Sequence, residues 1–366
     1  MGMQFNEDAI QKLMQSAKDQ GVFDKAVAGF VLPDGTQRVV EFNTPRDTVF
    51  DIASLTKVCP TSTLALRYIL EGKLAVNTRV VDYIPELHTN YRDDICIFHL
   101  LTHSLDYRVP MKTLRTLPAK EILNALFTYQ FEKAPGADFN YGNPASVLLG
   151  IILNRLTGKS LQDLGREQFF EPLGMTRSGW DPLTRDFNRI AKTQIMPTEI
   201  CAFRGREIQG EIHDESAWVL RELFPVGSAG MFSCIPDLLN FVQMVLNDGT
   251  LNNVRVMPEG VLDLVSHNAF ERPDCRQFIP KGTTETADAC TALGWELNAS
   301  KFMGTRVSPR AFGKTGFTGA SIVADPIAGA AVVLLSNFTY PHREPNADRI
   351  HAFRSRISDA FFGMLL

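Results

Sequence analysis

No C-x-x-C pair occurs in this sequence. Its six cysteines (Cys59, Cys96, Cys201, Cys234, Cys275 and Cys290) are scattered along 366 residues. That spacing speaks against both a zinc ribbon and a disulfide scaffold, so free thiols in a reducing compartment are the expectation. No Lys/Arg-rich run forms a basic stripe, and the formal net charge is −4. Nucleic acid is therefore excluded as an expected partner. No stretch approaches the roughly 20 apolar residues that a membrane-spanning helix needs. Internal repeats, low-complexity tracts and Pro/Gly-rich linkers are also missing. The first residues, MGMQFNEDAIQKLMQ, carry acids and amides where a secretory leader would carry bases and then an apolar run. The expected location is cytoplasmic as written, and periplasmic or secreted if Met1-Gly2 stands in place of a removed leader.

What is present is an ordinary globular balance, with 45% hydrophobic and 21% charged residues. A first helix is capped by Asn6, striped by Ile10, Leu13, Met14 and Ala17, and ended by Gly21. Two β-rich runs, 26–32 and 36–42, are joined by the turn Pro33-Asp34-Gly35. Helical patterns follow: 61–70 up to Gly72, 145–156 up to Gly158, and a helix opened by Ser160 with Asp163 as a capping box. Strands return at 321–324 and 330–335. A last helix from Asn346 is striped by Ile350, Phe353, Ile357 and Phe361. Strands and a helix at each end with helices between predict one α/β (α+β) domain over 1–366. Its sheet part would hold about 1–58 and 195–366, and its inserted helical part about 59–194.

Three short elements carry chemistry. Ser54-Leu55-Thr56-Lys57 is an S-x-x-K that follows the extended Thr48–Asp51 segment and opens a helix, where free N–H groups favour a developing anion. The i, i+3 spacing puts the Lys57 amine beside the Ser54 hydroxyl, which is a poor nucleophile without such a base. An S-x-x-K alone arises about once by chance in a chain of this length, so it needs support. Pro60 either kinks this helix or confines its first turn to Ser54–Thr56. The second element, Tyr141-Gly142-Asn143, precedes Pro144 and a helix. Its phenol can relay a proton, and its amide can hold a substrate carbonyl and a lysine. Standing alone it would be an ordinary turn. The third, Lys314-Thr315-Gly316, reads as a strand whose cation and hydroxyl face a substrate carboxylate, or as a glycine-rich strand end with a surface lysine.

S-x-x-K, Y-x-N and K-T-G in this order resemble the serine β-lactamase and penicillin-binding protein superfamily, in its class C β-lactamase, DD-peptidase and family VIII esterase branch. Phe50–Lys57, Glu71–Leu74, Tyr83–Leu87, Leu100–His103, Pro172–Met175, Gly210–Glu215, Ala229–Ser233 and Gly294-Trp295 are also similar to that family. The resemblance implies a β-lactamase/transpeptidase-like fold, an antiparallel sheet flanked by the terminal helices with an all-helical insertion. It implies Ser54 as the acylated nucleophile, with Lys57 and Tyr141 as the coupled base pair. Asn143 would steer the substrate carbonyl, and Lys314 and Thr315 would anchor a carboxylate. Gly316 would allow close backbone approach, and the N–H groups of Ser54 and Phe317 would form the oxyanion hole. No cofactor and no metal are implied. The expected partner is a small-molecule or peptide substrate, with a carboxylate favoured by the retention of Lys314.

The implied activity is hydrolysis of an amide or ester, β-lactamase-like or DD-peptidase-like. Alternatives are a small-ester carboxylesterase, a transacylase, or a catalytically quiet acyl-binding sensor or scaffold. An intact Ser54, Lys57, Tyr141 and Lys314 set argues against the last. The segment Leu101–Tyr107 departs from the family pattern, which leaves substrate shape open there. Gly313-Lys314-Thr315 could end a phosphate-binding loop, but that motif needs glycine where Ser308 stands. His99 and His103 lack the glutamate of a metalloprotease motif, which favours packing or capping roles. His213-Asp214 could line the cleft or form a turn. Trp180, Trp218 and Trp295 read as core, with the last two as possible pocket edges.

Overall fold

The computed structural model describes residues 5–109, 111–183, 190–280, 291–343 and 347–365. Cys290 and Asn346 lie outside the described residues. The main sheet has six strands: β1 (Ala26–Val31), β2 (Gln37–Phe42), β3 (Glu296–Leu297), β4 (Phe312–Thr315), β5 (Ser321–Asp325) and β6 (Ala330–Ser336). They lie in the order β3-β4-β5-β6-β1-β2, every pair antiparallel. Strands from the two chain ends thus meet at β1 and β6, where Ala28 faces Leu334.

Alternation along these strands builds two cores. Val27 and Val31 of β1, with Val333 and Leu335 of β6, face the larger one. Ala28 and Phe30, with Val332 and Leu334, face the other, which is covered by α1 (Glu7–Asp19) and the C-terminal helix (Asp348–Gly363). The Asn6 side chain caps α1 by accepting the Ala9 N–H at 3.0 Å. On the inner face lies the helix Ile235–Leu246. It packs so closely on β1 that a Cβ at Gly29 would sit 2.6 Å from Ile235 Cγ2.

The predicted helix over 61–70 begins later, at Thr63, as α2 (Thr63–Leu70). Before it the chain forms a 3₁₀ turn, Ala53–Lys57, and a single wide π turn, Val58–Ser62. Cys59, just before Pro60, leaves helical geometry at φ −113° and ψ 99°, as a residue preceding proline is pushed to do. The helical run is kinked at this point, one of the two outcomes expected of Pro60, while its first turn spans Ala53–Lys57 and is not confined to Ser54–Thr56. α3 (Asn143–Thr157) starts two residues earlier than expected, with Pro144 in its first turn, and ends at Gly158. Ser160 accepts the Asp163 N–H at 3.1 Å and opens the helix Leu161–Gly165.

Candidate active site

The nucleophile position is built by a strained turn. Ala53 adopts φ 47°, a left-handed conformation that costs an L-residue about 1–2 kcal/mol. Asp51 offsets this cost by accepting the Ala53 N–H at 2.7 Å. Ser54 then lies partly buried on the floor of a cavity of about 530 Å³ that it shares with Met111, His213, Ala229, Phe317 and Arg343, among others.

One turn on, the fully buried Lys57 amine contacts three oxygens: Ser54 Oγ at 3.0 Å, Asn143 Oδ1 at 2.9 Å and the Ser228 carbonyl at 2.8 Å. Two of these are carbonyls and can only accept. The amine donates to all three oxygens, and the single hydrogen of the Ser54 hydroxyl is donated to the Tyr141 oxygen. Burial pushes the Lys57 amine below its ordinary range, and the nearby Lys314 charge adds to that, against Tyr141 and Asp214.

Asn143 is held in this orientation by Asp214, which accepts its Nδ2–H at 3.0 Å. Asp214 also caps the helix Glu215–Leu220, accepting the Ala217 N–H at 2.8 Å and the Ser216 hydroxyl at 2.6 Å. Burial alone would raise this carboxyl. The three donors outweigh it and hold Asp214 below the usual carboxylate range.

Tyr141 is 43% exposed, while its hydroxyl end meets Ser54 and both active-site amines. The Lys314 and Lys57 amines lie 4.0 and 5.3 Å from its ring centre. Desolvation would raise the phenol. The two cations and a hydrogen bond from Ser54 prevail and lower it.

Lys314 is not a surface lysine. It is 2% exposed and donates to Glu296 Oε1 at 2.6 Å. Burial acts to lower it, but Glu296 and Tyr141 hold the amine above its usual range. Thr315 is partly exposed and pairs with Ser321 across the sheet. Gly316 is required by space, since a Cβ there would meet the Ile52 carbonyl at 2.4 Å. This close approach, with Thr318 Oγ1 donating to the Asp51 carbonyl at 2.7 Å, lays the Gly316–Thr318 backbone along the segment before Ser54. Phe317, 46% exposed, lines the cavity with Ser54, so the two expected oxyanion donors border one space.

Sequence reasoning leaves His213-Asp214 open between a turn and the cleft; both residues line the cavity, and Asp214 caps the helix that follows. It missed Asp51, Ser228, Glu296 and Arg343. Asp51 lies two residues before a strained Ala53 and Asp214 three before Ala217, local cap signals that were readable. Ser228 acts through its carbonyl, which no residue type announces. Trp295 is buried at 1% and stacks edge-on with Phe312; Trp218 is sandwiched by Arg204 and Arg221. Neither borders the cavity. His99 accepts the Cys96 N–H at 3.0 Å and caps its helix, while His103 packs against Tyr141, with ring centres 4.9 Å apart.

A profile of the Beta-lactamase family matches residues 12–355. The chain belongs to the beta-lactamase family. It is a serine hydrolase of that family with the β-lactamase/transpeptidase-like fold. It is 29% identical over 330 residues to a protein of Escherichia coli K12 provisionally named D-alanyl-D-alanine carboxypeptidase, covering 82% of this chain and 72% of the relative. It is 27% identical over 330 residues to the N-acetylmuramyl-L-alanine amidase of Bacillus subtilis 168, covering 82% and 71%. Among solved structures it is similar in fold to EstCE1, a hydrolase with promiscuous acyltransferase activity. There the TM-score is 0.67 at 21% identity, over 95% of this chain and 98% of that one.

For a cation, the described residues bring together one donor group, Glu199, Cys201 and Glu215, with ligand atoms within 4.8 Å of one another. The Arg343 guanidinium already bridges the two carboxylates, so an arginine supplies the positive charge there. Among the described residues no helix is long and apolar enough to cross a membrane.

Proposed function

We propose that this beta-lactamase family member hydrolyses an amide or strained lactam through an acyl-enzyme on Ser54. The contacts of Ser54 carry the reading: its hydroxyl lies 3.0 Å from the desolvated Lys57 amine and donates to the Tyr141 oxygen, and both groups are drawn below their ordinary ranges. In the first step Ser54 Oγ bonds to the substrate carbonyl carbon as its proton passes to the coupled Lys57–Tyr141 pair. The oxyanion is met by the N–H groups of Ser54 and Phe317. The C–N bond then breaks, and Tyr141, drawn below its usual pKa by two cations, passes a proton to the departing nitrogen. Water activated by the same pair releases the acid. Two curated relatives named for peptide and muramyl amide cleavage favour amides.

A small-ester hydrolase or transacylase is the second reading, favoured by the apolar Met111, Ala229 and Phe317 lining. The deciding experiment is intact mass after brief exposure to a penicillin, with peptide mapping and a Ser54→Ala control. A Ser54 adduct or rapid loss of the penicillin supports the first reading. An untouched penicillin with turnover of short-chain p-nitrophenyl esters supports the second. Inertness toward both overturns the acyl-enzyme assignment in favour of a quiet acyl-binding protein.

A further inference from the structure

His213 is a buried histidine with nothing to bind. It is 3% exposed, yet neither ring nitrogen has a hydrogen-bond partner among the described residues. Buried polar atoms are rarely left so, because each unpaired one forfeits its hydration. Its place is also tightly set. The His213 backbone N–H donates to Asp51 Oδ2 at 2.7 Å, its carbonyl accepts from Arg204 at 3.3 Å, and the next residue, Asp214, caps a helix. The ring lies 5.5 Å from that of Phe317, tilted by 35°, and both line the cavity that holds Ser54.

Of the charged residues that line the cavity, Arg343 and Glu215 already pair with each other. Arg343 pairs with Glu199 and Glu215, and Arg115 donates to Glu215 at 3.0 Å. Arg204 has no carboxylate partner among the described residues, but it does not line the cavity; it donates to the His213 carbonyl and lies 4.7 Å from the Trp218 ring centre. Burial pushes the imidazole down to about 4, so near neutrality it carries one donor and one acceptor nitrogen.

We propose that His213 is a specificity-determining residue, hydrogen-bonding an amide group on the acyl part of the substrate, a few atoms from the reacting carbonyl. An amide supplies an acceptor and a donor, and a neutral imidazole can pair with either of them without a change of charge. The inference rests on the acyl-enzyme reading only in taking this cavity as the substrate's. A donor of equal length with methylenes in place of the amide leaves His213 unpaired and is bound less well.

The test compares the p-nitrophenyl esters of N-acetylglycine and pentanoic acid, which match in chain length. Affinities are measured on Ser54→Ala enzyme by calorimetry, where no turnover intervenes. The amide ester is expected to bind at least about tenfold more tightly. That ratio falls to about one in Ser54→Ala/His213→Phe and is restored in Ser54→Ala/His213→Gln, which keeps a donor and an acceptor. Equal affinities on Ser54→Ala, no binding of either ester, or an unchanged ratio with phenylalanine would each overturn the proposal. Ester adducts on wild-type Ser54 are scored separately: their absence counts against the nucleophile assignment, while the affinity ratio still decides His213.

Discussion

The Asp51 carboxylate accepts the backbone N–H of His213 at 2.7 Å, while its other oxygen accepts that of Ala53. One buried side chain thus ties the nucleophile turn to the cavity wall, across 162 positions of sequence. Burial is the largest influence on this carboxyl and pushes it from 3.8 up to about 6, against its two N–H donors.

That raised value makes a stability prediction with a definite sign. The folded state binds the Asp51 proton more tightly than the unfolded chain. Its contribution is therefore greatest below pH 4 and is lost as pH rises to 6. Over this window wild type should lose about 3 kcal/mol relative to Asp51→Asn, by the usual 1.36 kcal/mol per unit. Urea unfolding of both proteins at pH 4 and 7 checks it. A difference in stability that does not vary with pH refutes it.

Lys314 governs the base pair more than it governs exposure. Its charge lowers both Tyr141 and Lys57. Replacing it in Lys314→Met raises both groups, and the rising limb of the kcat/KM profile for p-nitrophenyl acetate should move to higher pH. A limb that stays in place or moves down would show that the pair is tuned by other groups.

Gly316→Ala tests the close approach of strand and nucleophile segment. A Cβ 2.4 Å from the Ile52 carbonyl forces a shift of backbone against backbone. Overpacking of this kind costs about 1–3 kcal/mol. Activity should fall further than stability, because the displaced backbone carries the Phe317 donor. Thermal unfolding and acylation rate, measured together, separate the two effects.

Arg354 on the C-terminal helix is 3% exposed and donates to the Gly316 carbonyl at 2.7 Å and the Ala320 carbonyl at 2.9 Å. Arg354→Leu leaves both acceptors buried without this partner. Each carbonyl keeps one backbone donor, Gly319 N–H on Gly316 and Gly316 N–H on Ala320, so the loss is that of two charge-assisted bonds, roughly 3 kcal/mol in unfolding free energy. Chemical denaturation that shows a change within about 0.5 kcal/mol, the range of ordinary surface substitutions, would refute the bracing role.

Asp214→Ala removes a helix cap and the acceptor that orients Asn143. The cap accounts for about 0.5–2 kcal/mol of stability. With Asn143 free to rotate, Lys57 loses one fixed carbonyl, so kcat should fall even where the protein is fully folded. Ser54 acylation by a penicillin under stopped-flow conditions gives the comparison. An unchanged rate would mean that Asn143 is held by other contacts.

Much of the frame was determined by sequence alone. The continuous apolar runs of β1 and β6, the Asn6 and Ser160 caps, and the order S-x-x-K, Y-x-N, K-T-G are local patterns, because neighbours a few residues apart set them. The nucleophile–amine contact is of that kind, since three residues of helical chain bring Lys57 to Ser54. Tertiary structure decided what depends on distant chain segments. It replaced the expected helix start with a 3₁₀ and a π turn, because Pro60 and the strained Ala53 satisfy the packing around Ser54 and not the local hydrogen-bond ladder. It buried Lys314 against Glu296, where the spacing of K-T-G fixes only the strand and says nothing of the partner opposite. The Ser228 carbonyl on Lys57, the Asp51 link to His213 and the Arg343 bridge between two glutamates come from residues far apart in the chain. Backbone acceptors and buried charge pairs have no residue pattern of their own, so only the folded chain could reveal them.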